Sequence, residues 1–195
     1  MIDISVIILI IIIIIICIYS YINSESYNLK CIISKVDGET YCVRDRQNKK
    51  KAADLLASVA TKCKQLVQYC DEKYPHDDDI KRLVNNFNST NIVETLPNSE
   101  FTAYSENKGE KIAFCLHKKK GEKKLIDLST LTFVAIHELA HVMTLSEGHT
   151  QEFWTNFKFL LEQAKKANIY NPVDYKNNPQ PYCGIEITDN PYYDF

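Results

Sequence analysis

The sequence predicts an α+β domain behind a single N-terminal membrane helix. Three observations carry that expectation. Residues 4–22 run without a charge and are mostly isoleucine. In the rest of the chain, β-prone runs split by Asp37-Gly38 and Asn107-Lys108-Gly109 alternate with longer runs whose apolar residues recur at helical spacing. One of those helices is apolar nearly all round, yet it carries His137, Glu138 and His141. A buried carboxylate is costly unless paired or bound to something, so that conflict marks a site.

The apolar N-terminal run would be about 28 Å long as a helix, enough to cross a bilayer. A cleavable signal peptide would want a basic start, a shorter core and a small-x-small cleavage site. Asp3 is acidic and Tyr19-Ser20-Tyr21-Ile22 offers no such site, so residues 1–22 are expected to stay as an anchor. No Lys or Arg precedes them, whereas Lys30, Lys35, Arg44, Arg46 and Lys49-Lys50-Lys51 come after. The positive-inside bias then places the C-terminal domain in the cytosol or inside a virion. Asn88-Ser89-Thr90 is a formal glycosylation sequon, relevant only to a lumenal domain.

Residues 23–51 read as a β-hairpin and a charged linker: Lys30–Val36 and Glu39–Arg44 flank the Asp-Gly turn. Residues 52–167 read as the main domain. Its first helix, Ala52–Tyr74, places Leu55, Leu56, Val59, Cys63, Leu66, Val67 and Cys70 on one stripe and ends at Pro75. Asp77-Asp78-Asp79 opens a second helix to about Phe87, since acidic residues suit a helix N-terminus. Phe101–Ser105 and Lys111–Leu116 read as strands, with a further turn at Gly121-Glu122 leading into Lys124–Asp127. Leu128–Met143 is the apolar helix, capped by Ser129 or Thr130 and continuing to a stop near Gly148. A last amphipathic helix carries Phe153, Trp154, Phe157, Leu160, Leu161 and Ala164. The tail, residues 168–195, has no helical period and is expected to pack on the domain as turns and extended pieces. Tyr170, Tyr175 and Tyr182 in it are read as packing residues, each with a phenol that could serve a reaction intermediate.

His137-Glu138-Leu139-Ala140-His141 is the H-E-x-x-H pattern. Histidines four apart on a helix face the same way and can share one Zn²⁺, with Glu138 placed to act as general base on a metal-bound water. His149, directly after Gly148, is the candidate third ligand, and Glu162 is its competitor. Glu147 and Glu152 are read as surface or supporting groups. Three protein ligands and a water describe a catalytic zinc rather than a structural one.

With Gly148-His149 and Phe153-Trp154 after the motif, residues 101–167 resemble the SprT and WLM families of minimal zinc metallopeptidases. The resemblance implies a zincin-like fold and hydrolysis of a polypeptide substrate. It implies too that the strand ahead of the metal helix serves as an edge to which a peptide can add; Lys111–Leu116 is the candidate, and it reads equally as an ordinary hairpin strand. With its Tyr41-Cys42-Val43-Arg44-Asp45-Arg46 stretch and its anchor, the whole chain also resembles uncharacterised proteins of large DNA viruses.

The chain holds 23 basic against 25 acidic side chains, which gives no global pull toward nucleic acid. Lys118-Lys119-Lys120 and Lys123-Lys124 form a local basic cluster, read first as a solvated hairpin tip and second as a contact for nucleic acid or anionic lipid. Of the seven cysteines, Cys63 and Cys70 fall on a helix's apolar face and are read as buried thiols. Cys31 and Cys42 flank the hairpin and could bond, and Cys115 and Cys183 are left open. No C-x-x-C pair suggests a separate zinc knuckle.

Overall fold

The computed structural model describes residues 4–22, 29–119 and 124–194. The expected turn at Gly121-Glu122, with Lys120 and Lys123 of the basic cluster, lies outside the described residues, as do residues 23–28. Helix α1, Ile4–Ile22, buries none of its residues against the rest of the chain. The domain beyond it mixes helices and short strands, α+β as its alternation of periods predicts.

Strands β1 (Leu29–Ile33) and β2 (Thr40–Arg44) form the hairpin, closed by Gly38 at φ 79°. Helix α2 spans Lys49–Lys73 and starts inside the stretch expected as a linker. Lys49 pairs with Asp45 one turn back, and its N–H bonds the Arg46 carbonyl, so the charged residues open the helix instead of preceding it. Helix α3, Asp78–Asn86, is capped by Asp77, whose side chain accepts from the N–H groups of Asp79 and Ile80.

The central sheet has three strands in the order β3 (Ile92–Glu94), β5 (Lys111–Phe114), β4 (Ala103–Glu106). β5 pairs in parallel with β3 and antiparallel with β4. Lys111–Leu116 is therefore not an edge but the middle strand, hairpinned to β4 as its other reading had it, and β3 and β4 are the terminal strands. The error lies in β3, whose three residues are too few to show a period.

Helices α4, Leu128–Met143, and α5, Gln151–Lys166, pack on each other and on α2. The cap of α4 is Asp127, which accepts from the Thr130 N–H and hydroxyl, not Ser129 or Thr130. α4 keeps the expected bounds Leu128–Met143 and does not run on to the stop near Gly148. Thr144 leaves helical geometry there because its side chain is buried and bonded by Asn156 of α5. Arg82 of α3 ties this end down through the Met143 carbonyl. One glycine is forced by close approach: a Cβ on Gly109, at φ 116°, would lie 2.6 Å from the Asn86 carbonyl oxygen.

The tail is more ordered than expected. It forms a hairpin of β6 (Gln180–Tyr182) and β7 (Ile185–Ile187), then a single turn α6, Pro191–Asp194. A disulfide from Cys183 to Cys115 fastens it to the residue after β5, and Cys31 bonds Cys42 across the first hairpin. Tyr170, Tyr175 and Tyr182 are buried packing residues.

Candidate metal centre

Helix α4 must bury its apolar surface between the sheet, α2 and α5, and this carries His137, Glu138 and His141 into the molecule. Beyond Thr144 the chain turns at Gly148, φ 78°, and His149 comes back over the first two histidines. The Nε2 atom of His149 lies 3.1 Å from that of His137 and 3.2 Å from that of His141. All three donor atoms fall within 4.8 Å of one another. Nitrogens bound to one tetrahedral Zn²⁺ at about 2.0–2.1 Å sit roughly 3.3 Å apart. Two edges of this triangle are already close to that value, so the residues fit a zinc ion. Three imidazole nitrogens converging this closely cannot all satisfy one another, because a neutral ring has only one N–H to donate.

The rings are oriented by aromatic faces of α5. His141 stacks on Phe153 with ring centroids 4.2 Å apart, and His149 stacks on Trp154 at 5.6 Å. His137 meets the edges of Phe153 and Phe157. Burial first, then the neighbouring histidines, lowers the pKa of His137 to about 3. For His141, burial and then His149 lower it to about 4. Both rings are neutral at pH 7, the form that binds metal. Glu138 is 4 % exposed, and burial raises its carboxyl pKa to about 8.

The loop that carries His149 is held from outside. The Glu152 carboxylate accepts from the Leu145 N–H at 2.8 Å and the Ser146 N–H at 3.1 Å. Lys108, at the turn between β4 and β5, donates to the Ser146 carbonyl at 2.9 Å and pairs with Glu147. Glu152 thus holds the loop that carries His149. Lys108 left no sign in the sequence, because it reaches the loop only through the β4–β5 turn. Glu162 is not among the converging donors.

A hollow of about 480 Å³ lies over the triad, with Glu138 in its lining and β4 residues Ala103, Tyr104 and Ser105 along one wall. β4 lies at one end of the sheet, and among the described residues no strand pairs with its outer side. On the opposite side, β3 faces β2, and Arg44 and Arg46 bind the buried Glu94 carboxylate. Phe101 stands at the cleft, 64 % exposed, edge-on to Tyr104. Tyr182 does not reach into the cleft: its hydroxyl donates to the Thr102 carbonyl at 3.0 Å, while Tyr170 and Tyr175 bond each other.

The WLM domain family model matches residues 35–181. The chain belongs to the WLM domain family. That match extends well beyond the segment on which the sequence resemblance rested. As a WLM protein the chain falls in a metallopeptidase-like family that is zinc-dependent in general. Among curated proteins it is similar to Uncharacterized protein R325 of Acanthamoeba polyphaga mimivirus, 30% identical over 161 residues, which are 80% of this chain and 81% of that one. Uncharacterized protein 136R of Invertebrate iridescent virus 6 is 35% identical over 98 residues, 49% of this chain and 53% of that one. Among solved structures, the crystal structure of Wss1 from Saccharomyces cerevisiae aligns with a TM-score of 0.48 and 22% identity, covering 65% of this chain and 88% of that one. The WLM domain and the viral relatives both agree with the resemblances seen in the sequence.

Proposed function

We propose that this WLM protein is a membrane-anchored zinc metallopeptidase. The observation that supports it most is the convergence of three imidazoles beside a buried glutamate in an open cleft. His137, His141 and His149 would hold Zn²⁺, and the ion, when bound, would supply Lewis acidity and a water of lowered pKa. Glu138 is the general base: it takes the proton of the attacking water and passes it to the leaving amine. Burial alone favours its protonated form, whereas a dication beside it favours the carboxylate the base needs. The substrate is an extended polypeptide added to the outer edge of β4, bonded through its backbone, with Phe101 and Tyr104 offering an apolar contact. α1 would hold the domain at a membrane.

The test is metal analysis and cleavage of a broad peptide library by the full chain in detergent, beside Glu138→Gln. Zinc content and melting temperature should stay close to wild type in the variant, because Glu138 is adjacent to a ligand and is not one. Cleavage should fall by about 10²-fold or more, the usual scale for loss of a general base. Equal cleavage by both proteins sinks the mechanism. A zinc-loaded wild type that cleaves nothing would favour a silent, membrane-anchored interaction protein that retains the fold.

A further inference from the structure

The cysteines of the folded domain divide into two sets. Four are joined, Cys31 to Cys42 and Cys115 to Cys183, and the remaining two, Cys63 and Cys70, are sealed in the core of α2. Cys31 lies on the exposed side of the first hairpin. A disulfide in that position is open to reductants and persists where the surroundings are oxidising. Several basic residues that argued for a cytosolic domain belong to its folded structure. The Arg44 guanidinium bonds the Thr95 and Leu96 carbonyls, Arg46 pairs with the buried Glu94, and Lys49 pairs with Asp45. Long domains translocate largely regardless of such charges, and of the basic residues named only Lys30 and Lys35 fall within the roughly 15–20 residues of the anchor over which the bias is counted.

Asn88-Ser89-Thr90 falls between α3 and β3, and Asn88 is exposed. Its Oδ1 accepts both the Thr90 N–H, at 3.0 Å, and the Thr90 hydroxyl, at 2.8 Å. This Asx turn fixes the side chain and occupies only its oxygen. The Nδ2 atom, where an N-linked sugar attaches, makes no hydrogen bond among the described residues. Asn88 stands in the lining of a hollow of about 790 Å³ formed with α2 and the first hairpin, which shares no lining residue with the metal cleft. A glycan there leaves the cleft open.

We propose that the domain occupies the oxidising, lumenal side of its membrane and carries an N-linked glycan on Asn88. In the transfer, Nδ2 forms a bond to C1 of the first sugar and loses one proton. The bond from that C1 to a lipid diphosphate breaks, and the lipid diphosphate leaves. The donor is a lipid-linked oligosaccharide diphosphate of the lumenal membrane. Each disulfide forms as two thiols give two protons and two electrons to a thiol–disulfide oxidant of the same compartment.

The full chain, made in a eukaryotic cell, tests both parts, and neither readout depends on zinc or turnover. Peptide-N-glycosidase should move the wild type by a single mobility step. Asn88→Gln and Thr90→Ala should already run at the lower position, and Thr90→Ser, which keeps the sequon, should still shift. Alkylation of the denatured, unreduced chain should label Cys17, Cys63 and Cys70 and leave the other four unlabelled until reduction. A wild type indifferent to the glycosidase overturns the glycan. Labelling of Cys31, Cys42, Cys115 and Cys183 without reduction overturns the compartment.

Discussion

His117 is 3 % exposed, and neither of its ring nitrogens has a hydrogen-bond partner among the described residues. Burial first, then Arg46 and Arg44, lowers its pKa to about 4, although the Glu94 carboxylate lies 3.9 Å from Nδ1 and pulls the other way. An unfolded histidine titrates near 6.5. Protonation therefore favours unfolding, and stability that is complete above about pH 6.5 drains away as the pH falls toward 4. His117→Leu should remove this part of the acid sensitivity, so the stability of the wild type relative to the variant should fall as the pH is lowered from 7.5 to 4.5. Parallel profiles would show that His117 does not carry the effect. The candidate metal ligands make a second prediction at this scale. His137→Ala and His141→Ala should abolish stoichiometric zinc, His149→Ala should weaken binding strongly, and Glu162→Ala should change nothing. Loss of zinc on Glu162→Ala with full affinity retained on His149→Ala would move the third ligand to α5.

At the scale of elements, the candidate metal centre is one helix, one loop and one strand edge held in register. α4 brings two candidate ligands together at a spacing its own geometry sets. The third depends on a loop whose backbone is bonded by Glu152 from α5 and Lys108 from the β4–β5 turn. Both are positioning residues. Glu152→Gln should keep the size of the side chain and weaken the charge-assisted bonds, raising the zinc dissociation constant by about tenfold, the lower end of what groups orienting metal ligands supply. The melting temperature of the metal-free protein should hardly move. If metal-free stability falls while zinc affinity is retained, Glu152 serves the fold and not the site. The edge strand was misjudged from sequence for a reason of the same scale: an edge is defined by what pairs beside it, and β3 reaches β5 from a segment without a legible period.

At the scale of the molecule, α1 stands apart from a core built by α2, α4, α5 and the central sheet. Its 19 residues are apolar and long enough to cross a membrane, and a helix of that kind near the N-terminus also suits a signal sequence. Alkaline carbonate washing distinguishes the two: a retained anchor keeps the whole chain in the membrane fraction. A soluble mature chain beginning near residue 23 would show cleavage. The tail belongs to the fold at this scale, for the Cys115–Cys183 bond and the Tyr182 hydroxyl fasten it beside Thr102, at the start of the cleft's edge strand.

What the sequence determined by itself was local and periodic. The start of α4, the hairpin at Asp37-Gly38, the buried thiols of α2 and the pairing of His137 with His141 come from spacings of two, four and seven residues that a helix or strand turns directly into geometry. His149 was legible because the loop before it is short. Tertiary structure alone decided the strand order that makes β4 the edge, the reach of Lys108 to the ligand loop, the partnership of Cys115 with Cys183 and the binding of Glu94 by Arg44 and Arg46. These join residues separated by 38, 68, 50 and 48 positions for Lys108–Ser146, Cys115–Cys183, Arg44–Glu94 and Arg46–Glu94. No periodicity encodes such contacts; they arise when burial of separate apolar faces brings distant segments together and leaves each buried polar group to find a partner.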